Sequence, residues 1–105
     1  MRDVYGAVAD PTRRRLLDRL ARAGELPLHR LTDGIPMGRT AVAKHLAVLQ
    51  EAGLVSGRRA GRETLYSLNA EPLRAIGDWV GFYQRFWRQR VDHLQRLLEE
   101  DGENG

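Results

Sequence analysis

The order of the predicted elements leaves few folds open to this 105-residue chain. Asp10-Pro11-Thr12 is typical of a helix start, because Asp caps the first turn and Pro fits the first helical position. A helix is therefore predicted over residues 11–23. A shorter helix is predicted to open at Pro27 and to stop at the turn Gly34-Ile35-Pro36.

A second helix is predicted from about Arg39 to Ala52, where Val42, Leu46 and Leu49 recur at helical spacing. Two short extended segments follow around the turn Ala60-Gly61, and they predict a hairpin. One long helix is predicted over about residues 71–100. The resulting fold class is mainly α with a small β-hairpin wing (α+β), a winged helix-turn-helix with a long C-terminal dimerisation helix. We expect one domain over residues 1–100, followed by an acidic, frayed tail at 101–105.

Several classes of protein are disfavoured by composition. The chain has no cysteine, which excludes disulfide scaffolds and thiolate metal sites. No apolar run is long enough for a membrane span or a signal peptide, so we expect a soluble cytoplasmic protein with no membrane partner. The 11 glycines form no phosphate-binding loop, and neither serine of the hairpin has a nearby histidine. We therefore expect no enzyme, no catalytic residues and no cofactor.

The charge of the chain is divided unevenly. Residues 91–105 hold one basic and five acidic residues. Of the 17 basic and 14 acidic residues of the chain, 16 basic and nine acidic ones therefore lie in residues 1–90. A basic body favours a polyanionic partner, although solvated Arg-rich helices explain the same balance.

The outer face of the second predicted helix suits a major groove. Thr40, Lys44 and Ala47 lie opposite the apolar stripe, and Arg39 and Ala43 lie at its edge near the helix start. Arg pairs with guanine edges, Thr and Lys reach phosphates or bases, and the small Ala43 permits close approach. A solvated amphipathic helix is the alternative interpretation.

The hairpin tip is basic, with Arg58, Arg59 and Arg62 around Ala60-Gly61. Such a tip can follow the phosphate backbone or enter a minor groove. Charges on edge strands also discourage aggregation, and the two roles are compatible.

These segments resemble the ArsR/SmtB family of bacterial transcription regulators. The resemblance rests on Met37–Val55, on Arg59–Arg62 followed by Tyr66–Leu68, and on Ala9–Arg14, within roughly residues 3–98. It implies a homodimeric DNA-binding repressor, with recognition-helix contacts from Arg39, Thr40, Ala43 and Lys44 and wing contacts from Arg59 and Arg62.

One residue of the recognition helix has two open interpretations. His45 matches a frequent family histidine, and it either supports a phosphate contact or packs beside Leu49. The sequence departs from the family at Gly38 and Ala43, where Ser is frequent, so that a helix cap and a hydroxyl are missing.

The resemblance also provides a test for metal sensing. Pro27 and His29 stand at the two positions where metal-sensing relatives have cysteines, and proline cannot be a ligand. His29, His45 and His93 show no metal-ligand spacing. We therefore expect the cysteine-less branch of the family with no metal site, and the sequence leaves a small-molecule inducer unknown.

The last predicted helix has more apolar surface than a small domain covers. Its heptad pattern favours a two-fold dimer. One alternative is that this surface packs entirely within its own chain. Another is that Tyr83, Phe86 and Trp87 line a ligand pocket. The predicted dimerisation residues are Leu73, Ile76, Val80, Tyr83, Trp87, Leu94 and Leu97.

The function expected from the sequence is sequence-specific binding of a pseudo-palindromic double-stranded DNA operator by a homodimeric repressor. The alternative is a winged-helix module for protein–protein contact. The cluster Arg39, Lys44, Arg59 and Arg62 favours DNA, because a protein-binding wing has little need of it.

Overall fold

The computed structural model describes residues 3–104, with side chains for residues 3–100. This part of the chain contains five helices and three strands. They are, in chain order, α1 (Val4–Ala7), α2 (Pro11–Ala23), β1 (Glu25–Pro27), α3 (Leu28–Leu31), α4 (Arg39–Glu51), β2 (Val55–Ala60), β3 (Glu63–Leu68) and α5 (Leu73–Asn104). The predicted fold class, a mainly helical winged helix-turn-helix with a long last helix, is confirmed.

Helix α2 begins and ends as its sequence predicts. The Asp10 carboxylate accepts a hydrogen bond from the backbone N–H of Arg13 at 3.0 Å, and Pro11 occupies the first turn. The helix ends at Gly24 and buries Leu16, Leu17 and Leu20. This apolar face packs into the same core as the buried residues of α4.

The helix-turn-helix consists of α3 and α4, and both helices contact each other. Gly34 lies in the turn between them with φ of 73°, a conformation that glycine adopts without strain. The predicted stripe Val42, Leu46 and Leu49 is buried in α4. The core also contains Ala7, Leu31, Ile35, Leu54 and Val55.

The sheet has one strand that the sequence analysis did not predict. Its order is β1-β3-β2, and both neighbours of β3 run antiparallel to it. Pro27 ends β1 and is also the N-cap of α3, whereas the sequence suggested only a helix start there. A strand of three residues is too short to show alternation.

The chain divides into two compact units, Met1–Arg74 and Ala75–Gly105. The first unit holds α1 to β3 and the buried core. Helix α5 runs to Asn104 rather than to about Glu100. The side chains of the predicted tail, residues 101–105, lie outside the described part, so its fraying stays a prediction.

Candidate nucleic-acid interface

The recognition helix α4 presents its predicted contact residues on the surface of the first unit. Arg39, Thr40 and Lys44 are exposed, and Ala43 is half-buried. Gly38 is the N-cap and supplies no side-chain hydrogen bond, as its departure from the family pattern predicts. The helix is held by its buried stripe, which leaves the opposite face open.

His45 lies in a hydrogen-bonded cluster instead of on the open face. Its Nδ1 lies 3.2 Å from Nη1 of Arg13 and 3.9 Å from Oδ2 of Asp10. The Arg13 guanidinium also donates to the carbonyl oxygens of Ala7 at 2.7 Å and Gly6 at 3.2 Å. The cluster thus connects α1, α2 and α4, and a role of His45 in a phosphate contact stays a prediction.

The Asp10 carboxylate of this cluster is stabilised in its charged form. The backbone N–H of Arg13 donates to it and holds its pKa below the ordinary value of 3.8, and His45 and the Arg13 side chain add weaker attractions. Asp10 therefore remains an acceptor at neutral pH and fixes the start of α2.

The wing is formed by β2 and β3 and turns at Gly61, where φ is 66°. Alternation along β2 separates neighbouring residues onto opposite faces of the sheet. Arg59 pairs with Thr64 and shares a face with Val55, which belongs to the core. Arg58 lies on the other face.

Arg58 forms a bidentate ion pair with Glu25 of β1. Its Nε donates to Oε2 of Glu25 at 2.8 Å, and its Nη2 donates to Oε1 at 2.7 Å. The Arg58 hydrogen bonds lower the pKa of Glu25, and the Glu25 carboxylate raises the pKa of Arg58. The structure thus separates Arg58 from the other predicted wing residues, and its contact with DNA stays a prediction.

One surface cleft of about 290 Å³ brings together three of the predicted DNA-binding residues. Arg39 from α4 and Arg59 and Arg62 from the wing line it. His29 and Glu63 also line it, and Nδ1 of His29 lies 3.5 Å from Oε1 of Glu63. Neither His29 nor Glu63 was predicted to belong to this site, because they approach each other only through the pairing of β1 with β3.

Some basic side chains of the first unit are held by partners within the chain and others are not. Arg13, Arg14 and Arg19 donate to backbone carbonyl oxygens, and Arg58 is bound to Glu25. No hydrogen bond or ion pair within the described part of the chain is made by the side chains of Arg39, Lys44, Arg59 and Arg62, nor by those of Arg15 and Arg22 on α2. The unpaired cations of α4 and the wing are thus left to interact with solvent or with an anionic partner.

The second unit begins at Ala75 and contains all of helix α5 except its first two residues, and the apolar side chains of this helix are extensively exposed. Among the predicted dimerisation residues, Tyr83, Trp87, Leu94 and Leu97 are exposed. Ile76 and Val80 are half-buried, and Leu73, at the end of the first unit, packs against its core.

Aromatic side chains form a cluster on α5. The ring centroids of Phe82 and Tyr83 are 5.2 Å apart, and those of Trp79 and Tyr83 are 5.6 Å apart. Phe82, 53% exposed, is a member that the sevenfold repeat did not single out. Its spacing of four residues from Phe86 was the available signal.

No group of three or more potential metal ligands occurs among the described residues. Pro27 ends a strand and His29 faces Glu63, so the two cysteine-like positions form no pair of ligands here. Within the same part of the chain, no helix has the length and apolar character needed to cross a bilayer.

Comparison with known proteins agrees with this geometry. The helix-turn-helix domain family HTH_20 matches residues 8–58. The HTH-type transcriptional regulator Rv2034 of Mycobacterium tuberculosis is 36% identical over 95% of this chain and 90% of its own length. The transcriptional repressor SdpR of Bacillus subtilis is 31% identical, over 76% and 88% of the two chains.

A solved structure shows the same architecture. It is the ArsR-like transcriptional regulator from Rhodococcus sp. RHA1, with a TM-score of 0.69 and 31% identity over 92% of this chain and 88% of that one. The recognition helix, the wing and these relatives together identify the chain as a member of the ArsR/SmtB family of winged helix-turn-helix, DNA-binding transcriptional regulators.

Proposed function

We propose that the chain acts as a homodimeric repressor that binds a pseudo-palindromic DNA operator through α4 and the wing. The observation that supports this is that four cations without a partner in the described part of the chain lie on α4 and the wing, namely Arg39, Lys44, Arg59 and Arg62. Three of them line one cleft. Converging cations without an ion-pair partner are suited to phosphates, which supply most of the affinity of DNA-binding proteins.

In this proposal α4 enters the major groove. Arg39 stands at the start of the helix and contacts a guanine edge, whereas Thr40 beside it and Lys44 in the next turn contact bases or phosphates. Ala43 is small enough for the helix to approach the base edges. His45 holds α4 in position through its contacts with Arg13 and Asp10, away from the exposed face of the helix.

The wing follows the adjacent phosphate backbone. Arg59 and Arg62 lie on the side of the sheet that shares the cleft with Arg39, so that one protomer contacts the groove and its border together. These contacts are independent of sequence, and they add affinity and fix the orientation of the recognition helix.

The dimer in this proposal forms through α5. Four predicted interface residues (Tyr83, Trp87, Leu94 and Leu97) are between 41% and 58% exposed. Helical apolar surface of this extent is typical of a face that packs against a second helix. Two-fold pairing places the recognition helices about one helical turn of DNA apart, roughly 10 bp.

The assignment as a repressor follows the named function of a relative, SdpR. The protein would act in the cytoplasm, where its DNA is found, and the proposal includes no catalytic step, cofactor or metal. An inducer is left open.

Selection of bound duplexes from a randomised DNA pool, at 50 and 200 mM salt, tests the proposal. An enriched inverted repeat with affinity that falls steeply with salt is the expected result. Arg22→Ala provides the charge control, because Arg22 is exposed on α2 and does not line the cleft. Absence of enrichment, with binding equal on all duplexes, would instead favour a protein-binding winged helix.

A further inference from the structure

We infer that Glu25 and Arg58 form a positioning pair, which fixes the wing relative to the helix-turn-helix and thereby sets the strength of DNA binding without touching DNA. The inference rests on the proposed contact of the wing with DNA. It gives Arg58 a role different from that expected from its place in the basic tip.

The geometry of the pair is that of a specific clamp. Two hydrogen bonds of 2.8 and 2.7 Å join the planar guanidinium to the carboxylate. A bidentate arrangement restricts both side chains in direction as well as in distance. The Glu25 side chain is 33% exposed and the Arg58 side chain 63%, so the pair lies at the surface of the first unit.

The two residues belong to the two outer strands of the sheet. Strand β3 lies between β1 and β2, and Glu25 and Ser56 are both paired with its Ser67. The Arg58 side chain therefore spans β3 to reach Glu25. Next to it, the hydroxyls of Ser56 and Ser67 lie 3.1 Å apart. This face of the sheet is thus cross-linked by polar contacts from edge to edge.

The clamp connects the wing directly to the helix-turn-helix. Strand β1 ends at Pro27, and α3 begins at the next residue, Leu28. Arg58 is followed by Arg59, which points to the other face and lines the cleft with Arg39. Fixing Arg58 therefore limits how far Arg59 can move from the recognition helix.

The direction in which removal of Glu25 changes the affinity for DNA distinguishes positioning from direct contact. Glu25 is an acidic residue near a DNA-binding surface, so its removal should strengthen binding if only charge matters. If Glu25 holds the wing in place, its removal should weaken binding instead, because the wing must then be ordered when DNA binds. Ordering a released side chain costs about 0.5–1.5 kcal/mol, which corresponds to roughly 2- to 10-fold in affinity.

The experiment compares Glu25→Ala, Arg58→Ala, the double variant and the reciprocal exchange of the two residues. Affinity for the duplex enriched by selection is measured at 50 and 200 mM salt, and thermal unfolding is recorded for each variant. Glu25→Gln is included as a milder change that leaves one acceptor oxygen. Arg59→Ala removes a proposed phosphate contact. A decrease in both its affinity and the salt dependence of its binding tests the proposed function separately.

We expect both single variants to bind roughly 2- to 10-fold more weakly, with the salt dependence of the unmutated protein. The double variant should be no weaker than either single variant, and the exchange should recover affinity. Tighter binding by Glu25→Ala, additive losses or an exchange that recovers nothing would overturn the inference. The inference would also be overturned if raising the salt from 50 to 200 mM weakened Arg58→Ala less than the unmutated protein, by about 3.5-fold per protomer, because loss of a phosphate contact has that effect.

Discussion

Replacing Asp10 by Ala is expected to destabilise the folded chain by about 1–2 kcal/mol. The Asp10 side chain accepts the Arg13 backbone N–H at 3.0 Å, and loss of such an N-cap costs roughly 0.5–2 kcal/mol. Its Oδ2 also lies 3.9 Å from Nδ1 of His45, with side chains 32% and 22% exposed. A pair this accessible to solvent adds no more than about 1 kcal/mol.

Thermal unfolding followed by circular dichroism measures this effect. The midpoint should fall by about 4–8 °C for each kcal/mol, at a fixed protein concentration because self-association changes apparent stability. Asp10→Asn is the matched control, since the amide oxygen still caps the helix but has no charge. We expect its stability to lie between those of the other two proteins.

The pH dependence has a definite sign. The pKa of Asp10 is lower in the folded chain than its ordinary value of 3.8, because the Arg13 N–H donates to the carboxylate. The stabilisation is therefore complete well above pH 3.8 and is lost as the pH falls through the folded pKa. The difference between the unmutated protein and Asp10→Ala should shrink below pH 3.8. An equal midpoint at pH 7, or a difference that grows in acid, would refute the role assigned to Asp10.

Three further predictions concern DNA binding and assembly. Arg62→Ala should weaken binding to every duplex and reduce the slope of log affinity against log salt by about 0.9 per contact, while Arg22→Ala leaves that slope unchanged. Arg39→Ala should relax preference at one base pair per half-site by about 1–3 kcal/mol in competition assays, and uniform loss on all sequences would contradict a base contact. Leu94→Glu should weaken self-association roughly 100-fold or more in sedimentation experiments, because an unpaired buried carboxylate costs several kcal/mol. Gln95→Glu adds the same charge one residue along, and an equal effect there would exclude Leu94 from the interface.

Local signals in the sequence were sufficient for much of the fold. Asp10 and Pro11 define the start of α2, and the spacing of Val42, Leu46 and Leu49 defines the buried side of α4. Each of these signals acts within one or two helical turns. A cap and an apolar stripe can both be recognised from neighbouring residues alone, although the stripe is buried only by the rest of the core.

The features that were not predicted depend on residues far apart in the sequence. Strand β1 exists through its pairing with β3, and Arg13 meets His45 across 32 positions. The placement of Arg58 and Arg59 on opposite faces could be predicted in part from the sequence, because successive side chains of a strand alternate between the two faces of a sheet. The partner of Arg58, Glu25, was not, because no predicted strand contained it.

The position of the core within the chain has a consequence for how the protein is made. The buried hydrophobic residues that the structure describes all lie from Ala7 to Val55, and the first compact unit closes at Arg74. Chains emerge from the ribosome from their N-terminal end, and compact units fold as they emerge. The DNA-binding unit therefore emerges, and can begin to form its core, before most of α5 emerges. The aromatic side chains of α5 then become exposed after the first unit has emerged, which shortens the time in which that apolar surface can associate with unfolded chain.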